Sequence, residues 1–350
     1  MAFDPAAPTP GRPMALEPAA TLGTSEVEGA AGVGPYRLAA RRLRRNKVAL
    51  AFGAIFVLIV VLCLCAPIYA SDVAHTTPSS NNISQRIKVG DHYETVLNDQ
   101  GIPIGPTWHS RYFFGADSNG RDVAVRLLYG GRNSLEVGGL ATLITVVLAT
   151  LIALLAGYYR GFTDSLLSRA MDLIWAYPVV LLGIALGTAL ALGGIDLGIV
   201  TINGGSLLIP SLIIGIVYVP YMAKPLRGQI LGLREKEFIE AARAQGFGHL
   251  RIMLGEVLPN IASSIIVFIP LMLANAILLE AALSYLGAGI QDPNPSWGTM
   301  LAEGIQLIPS AIHLTLVPGA MLVLAVLGIN VFGDGVRDAL DPRAEVRIEH

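Results

Sequence analysis

Six stretches of this chain, 48–70, 137–159, 173–192, 205–223, 261–279 and 314–332, contain no Asp, Glu, Lys, Arg or His over 19 to 23 residues. In lipid every backbone amide has to find its partner within the segment, and about 20 helical residues cross a hydrocarbon core of roughly 30 Å. The expectation is an all-α integral membrane protein with six transmembrane helices. Charged residues make up only 14% of the 350, against about a quarter in ordinary soluble domains, which excludes an ordinary soluble enzyme. A formal charge of −2 gives no general attraction to nucleic acid. Cys63 and Cys65 lie two apart inside the first run. That spacing suits neither a disulfide framework nor a four-ligand metal site, so both read as small apolar residues.

Residues 1–36 hold four acidic residues, one basic residue and many Ala, Pro, Gly and Thr. Such a segment has too little large apolar surface to offset its ordering entropy and is expected to be a disordered tail. The first apolar run begins too late for a secretory signal peptide. Orientation follows from the cations. Arg37, Arg41, Arg42, Arg44, Arg45 and Lys47 precede the first run, which the positive-inside rule places in the cytoplasm. Threading six spans leaves both termini cytoplasmic. The segment 224–260 then lies inside with six basic residues, while 193–204 and 280–313 lie outside with no Lys or Arg. The domain reading is a tail over 1–36, a first helix and external loop over 37–136, a five-helix core over 137–343, and a short tail over 344–350.

The cytoplasmic segment 233–260 is the most specific part of the sequence. Helix formers without Gly or Pro from Arg234 to Gln245 predict a short amphipathic helix. Gly246 and Gly248 interrupt it, and a second short helical pattern runs from Leu250 to Leu258, ahead of Pro259. Two short helices along the membrane surface are expected. Ala241 and Ala242 would allow another surface to approach closely, and Gly246 would take a positive φ at the turn.

Glu240, Ala241, Ala242, Gly246, Leu258 and Pro259 stand in the register of the EAA loop, Glu-Ala-Ala, three residues, Gly, nine residues, Ile, one residue, Leu-Pro. The segment closely resembles that loop of the inner-membrane permeases of binding-protein-dependent ABC importers, with Glu256 in place of Ile. The resemblance implies a coupling helix docked on a cytoplasmic ATPase subunit. The run from Phe113 to Leu135, with Gly115-Ala116-Asp117 and Gly120-Arg121-Asp122-Val123, resembles the FGTDxxGRDVxxRxxxGxRxSL signature of the C-type subunits of dipeptide, oligopeptide and nickel importers. Ala116 replaces Thr. Asp117, Asn119 and Asp122 alone suggest a calcium loop, but its twelfth position needs Glu and here holds Leu128, so a structural, interface-forming loop is expected. Ala281 to Gly287, Pro295 to Gly298 and Gly333 to Arg343 resemble further segments of the same subunits.

No Gly-x-x-x-x-Gly-Lys-Ser/Thr loop occurs, so ATP and magnesium are expected on partner ATPase subunits and no cofactor on this chain. No His lies in a span and no His-Glu-x-x-His occurs, against an intramembrane metalloprotease. Charge-free spans argue against an ion-coupled secondary transporter, although Pro178, Pro210 and Pro220 interrupt them. No filter-like ring supports a channel. No catalytic residue and no metal ligand set is read.

Glu280, just beyond the fifth run, is a candidate to face the substrate path. Asn275 and Asn330 are read as interhelical hydrogen-bond partners, and Gly183 with Gly187 as a close helix contact. The external segment 71–107 is expected to form a small packed element facing a binding protein. The resemblance as a whole implies a type I ABC importer permease of the inner membrane. Its partners would be a second homologous permease, two cytoplasmic ATPases, an extracytoplasmic peptide-binding protein and lipid, with no nucleic acid. Dipeptides or oligopeptides are the implied cargo, with nickel or glutathione as alternatives.

Overall fold

The computed structural model describes residues 35–89, 92–196, 198 and 201–341. The tails expected at 1–36 and 344–350 lie outside these, apart from residues 35 and 36, which open the first helix. Helix α1 (Pro35–Arg45) leads into α2 (Lys47–Leu64), whose N-terminus is capped by Asn46, its side chain accepting from the Ala49 amide at 3.0 Å. A short α3 (Ala66–Ile68) and one π-helical turn (Tyr69–Val73) carry the chain into the segment 71–107.

The external segment is a packed element. Strands β1 (Arg86–Val89) and β2 (His92–Thr95) pair antiparallel, with Arg86 opposite Thr95. Val96, Tyr112 and Ala116 are buried behind them with Ile87, Leu97 and Ile104 packed alongside.

Helix α4 (Val123–Tyr159) follows without a break. It begins well before the charge-free run at 137, so the expected division at residue 136 falls inside a helix. The charge count places its start late because the exposed Arg132 and Glu136 lie within the helix, as does Arg126, which is buried and ion-paired. Asp122 is its N-cap, with Oδ1 accepting from the amides of Ala124 and Val125 at 2.9 and 3.2 Å. Oδ2 accepts from the Tyr112 amide at 2.6 Å, fastening the external element to the helix start. Burial pushes the Asp122 carboxyl above its ordinary range, against the pull of these three bonds.

The expected third span, 173–192, is two helices. α5 (Gly161–Trp175) and α6 (Val179–Gly193) meet at 87°. Pro178 lacks a donor and forces the preceding residue out of the helical region, so an unbroken apolar run does not make an unbroken helix. α6 alone spans roughly 22 Å, short of a full crossing. α5 carries Asp164 and Asp172, which pair with Arg227 and Lys224 of the following span.

A small hairpin, β3 (Ile195–Asp196) with β4 (Thr201–Ile202), joins α6 to α7 (Leu208–Val217) and α8 (Val219–Leu233). Pro220, at the start of α8, stands where these two meet. After the short helix α9 (Glu237–Ala244), α10 (His249–Ile252), a π turn (Met253–Val257) and α11 (Leu258–Tyr285) form one continuous rod, His249–Tyr285. α12 (Trp297–Ile305) and α13 (His313–Leu340) complete the chain. Among the described residues five helical units are long and apolar enough to cross a membrane, six with the bent pair.

The core is built around α4, which packs on α7, α8 and α11, while α13 lies between α2 and α11. Small residues permit the close approaches. A Cβ at Gly187 would fall 2.3 Å from the Ala288 carbonyl oxygen, and one at Gly183 would fall 2.9 Å from Leu283, so this pair does seat α6 against α11 and its exit. Asn275 meets a neighbour through its backbone carbonyl, which accepts from the Tyr218 hydroxyl at 3.3 Å. Among the described residues neither Asn275 nor Asn330 uses its side-chain amide between helices, contrary to expectation.

Candidate functional site

The segment 233–260 resolves into one short helix and the base of a long one. Lys236 is extended, and α9 runs only from Glu237 to Ala244, shorter at both ends than the expected 234–245. Ile239 and Ala242 turn into the bundle and are buried, whereas Glu240, Ala241 and Arg243 are exposed. The helix ends as the glycine predicts. Gly246 has φ +81°, its amide donates to the Arg243 carbonyl at 2.9 Å, and the Phe247 amide donates to Ala242 at 3.1 Å. This pair of bonds is the Schellman arrangement, which needs a left-handed residue at that position.

The second expected short helix, 250–258, is not a separate element. It is the inner end of the rod containing α11, because the helix passes Pro259 instead of ending there. The Leu258 amide bonds to the carbonyl of Met253, five residues back, and this wider turn accommodates the missing proline donor and its ring.

The six residues singled out by sequence therefore divide. Glu240, Ala241, Gly246 and Pro259 are exposed, Ala242 is buried in its own bundle, and Leu258 is half-buried there. Ala242 thus packs inward and does not serve the close approach of another surface. Sequence reasoning missed Phe238, Leu250 and Leu254, which stand out with 39%, 66% and 52% of their surface exposed. The available signal was large apolar residues at positions that a polar-surface helix would give to charge.

Several contacts hold this segment to the transmembrane bundle. The Tyr158 hydroxyl and His249 Nδ1 are 3.0 Å apart, and Arg234 Nη1 donates to the Tyr158 carbonyl at 2.6 Å. Arg160 pairs with Glu235 and holds its carboxyl below the usual range. The inner ends of α4, α8 and the α10–α11 rod consequently form one block beside α9.

Glu280 occupies a different kind of site from the one expected. It is fully buried and does not open on a path. Oε1 accepts from the Ser284 hydroxyl at 2.7 Å, and the hydroxyls of Ser134 and Ser296 face the carboxyl, although Oε2 has no partner in hydrogen-bonding geometry. Each serine oxygen also accepts a backbone amide: Ile290 at 2.9 Å, Trp297 at 3.3 Å and Thr299 at 3.1 Å, respectively for Ser284, Ser134 and Ser296. The carboxyl therefore ties α4, α11 and the start of α12 together. Glu280→Leu is expected to leave the buried Ser284 hydroxyl without its acceptor, at about 1–3 kcal/mol, and to set an apolar side chain against the hydroxyls of Ser134 and Ser296. Glu280→Gln retains a carbonyl oxygen and should unfold nearer to wild type. Thermal unfolding in detergent compares the two; equal stability of the leucine variant and wild type would remove this role.

Ahead of α4 the Asp117 loop is an ion-pair cluster. Asp117 Oδ1 accepts from the amides of Asn119 and Arg121, both at 2.9 Å, and Oδ2 pairs with Arg121 and Arg126. Glu303 of α12 pairs with the same two arginines. The oxygens that a cation would need are thus engaged by donors of the protein, and the cluster clamps the external element, α4 and α12.

Residues 149–346 match the family of binding-protein-dependent transport system inner membrane components. The chain belongs to that family. Residues 34–86 match the N-terminal transmembrane domain of oligopeptide transport permease C. This permease is 38% identical to the dipeptide transport system permease protein DppC of Alkalihalophilus pseudofirmus, over 89% of its own length and 91% of the relative's. A putative peptide transport system permease protein of Brucella suis is 35% identical, with coverage of 90% and 94%. The glutathione transport system permease protein GsiD of Pectobacterium atrosepticum is 33% identical, with coverage of 88% and 91%. A chain of the inward-facing MetNI methionine ABC transporter superposes with a TM-score of 0.50 at 17% identity, covering 62% of this permease and 96% of that chain. The fold is that of a type I ABC importer permease, a multi-pass membrane subunit.

Proposed function

We propose that this permease carries dipeptides or oligopeptides across the cytoplasmic membrane as half of a channel completed by a second homologous permease. Two cytoplasmic ATPases supply the energy, an extracytoplasmic peptide-binding protein delivers the cargo, and both termini lie inside. Peptide cargo is supported by relatives near full length that are named dipeptide and peptide permeases. The observation that carries the mechanism is the glycine-closed helix α9, set between the inner ends of α8 and α11 with Phe238, Leu250 and Leu254 exposed beside it.

An ATPase groove that takes up this surface moves α9 as a unit, since Ile239 and Ala242 anchor it to the bundle. The spans at both its ends then move with it, and the cavity between the two permeases opens alternately to either side. ATP drives this only by interacting differently with the two states of the ATPase pair. The permease performs no covalent step; Glu240, exposed in the first turn of α9, is placed to meet a donor of the ATPase.

Purification from the native membrane with mass spectrometry tests the assembly, and reconstituted vesicles test the transport. The expected result is co-isolation of P-loop ATPases, with uptake of labelled dipeptide requiring both ATP and the binding protein. Uptake by this chain alone in ATP-free vesicles would establish an ion-coupled carrier instead. Uptake restricted to glutathione or nickel would replace the cargo and keep the machinery.

A further inference from the structure

The break in the third span leaves an open groove of about 340 Å³, bordered by Trp175, Tyr177, Pro178, Val179 and Tyr221. This lies within the roughly 300–1,000 Å³ of small-molecule sites. The 87° bend between α5 and α6 is what opens it, because a straight span would close the angle in which Tyr177 and Pro178 sit. Its three aromatic rings are exposed in this chain.

Two observations separate this place from an ordinary belt of interfacial aromatics. The rings continue inward: Trp175 meets Tyr221 edge-to-face at 5.2 Å, Tyr221 meets Tyr218 at 5.5 Å, and the Tyr218 hydroxyl donates to the Asn275 carbonyl of α11. Interfacial aromatics instead turn their polar tips to headgroups. A pair of opposite charges also stands at the rim. Lys224 Nζ lies 3.9 Å above the Trp175 ring and 2.7 Å from Asp172 Oδ1.

Building on the peptide reading above, we propose that this groove is a substrate position at the inner mouth of the path, which takes short zwitterionic peptides bearing an apolar or aromatic side chain. The side chain lies among Trp175, Tyr177 and Tyr221. The peptide ammonium takes Asp172 and the aromatic faces, which attract cations, and the carboxylate takes Lys224. Pairing Lys224 with Asp172 keeps both charges satisfied while the site is empty, and each exchanges a protein partner for a peptide one. A site that reads one apolar side chain and both termini accepts many peptides.

The test uses the complete importer with its binding protein in proteoliposomes, and compares Gly-Gly with Leu-Phe. Trp175→Ala and Tyr221→Ala are expected to lower uptake of Leu-Phe by about tenfold relative to Gly-Gly, the scale on which a pocket reads apolar groups. Lys224→Met should abolish discrimination between Leu-Phe and its C-terminal amide. A loss that is equal for both dipeptides, or no loss, overturns the site. A photoreactive phenylalanine in place of Tyr177, in the otherwise intact importer, should capture labelled Leu-Phe during turnover and be competed by unlabelled peptide. Capture of lipid alone overturns the proposal independently of how the alanine variants fold. If wild type carries both dipeptides while the variants do not discriminate, only this position falls. If wild type carries neither, the peptide reading falls and takes this position with it.

Discussion

Replacing Gly246 by valine is expected to leave the importer in the membrane while separating ATP hydrolysis from uptake. The residue has φ +81°, and nothing lies within 4 Å of a Cβ built on it. The penalty is therefore one of backbone conformation, about 1–2 kcal/mol for an L-residue in the left-handed region and more for a β-branched one. The chain escapes that penalty by abandoning the turn, which costs the bonds from Gly246 and Phe247 back to Arg243 and Ala242. α9 then loses its fixed angle to the rod that follows. The transmembrane core does not depend on this turn, so protein levels should hold. A graded series sharpens the test: asparagine tolerates the left-handed region and should couple best, alanine less well, valine least. ATPase rate and dipeptide uptake are measured on the same vesicles. A valine variant at normal membrane level with unchanged uptake per ATP would falsify the coupling role.

Arg126→Met is expected to have the largest effect on folding of any single substitution in the external cluster. Arg126 is almost fully buried and pairs with both Asp117 and Glu303. Removing its charge leaves Asp117 inside with Arg121 alone, and stripping one partner from a buried ion pair costs roughly 3–5 kcal/mol. Because the cluster joins the external element to α4 and α12, the expected outcome is little mature protein and rapid cleavage of 71–122 by protease added from outside. Arg126→Lys keeps the charge but not the two-pronged contact with Glu303 and should fall between. Glu303→Gln, nearer the surface, should be milder. Wild-type abundance and protease resistance in the methionine variant would show that the cluster is ornamental to stability.

Much of this architecture was legible from charge alone, because lipid imposes a penalty simple enough to read residue by residue. The first, second, fourth, fifth and sixth apolar runs each lie largely within helical units of the structure. The failures have specific causes. Absence of charge does not report direction, so the run 173–192 hid the right-angle turn at Pro178. Presence of charge does not end a helix, so Arg126, Arg132 and Glu136 concealed the first turns of α4. Pro259 suggested a stop, but a π turn lets a helix continue past it. At the coupling segment, spacing located Gly246 and its positive φ. It did not distinguish Ala241 from Ala242, which one residue of helical rotation, about 100°, sends to different faces, one exposed and one buried. Sequence alone makes Glu280 a candidate to face the path, because ionisable groups at membrane depth are often functional. Its partners, Ser134, Ser284 and Ser296, are scattered over 163 residues of sequence, and only the folded chain assembles them.

The rod from His249 to Tyr285 has a mechanical corollary. At 1.5 Å per residue it is a single beam of roughly 55 Å, and a tilt of about 10° at its inner foot sweeps the far end through roughly 10 Å. That far end bears Glu280, to which the start of α12 is moored. On the proposed coupling, a push at the foot of this rod would therefore also move the end that bears Glu280, with no residue-by-residue relay between them.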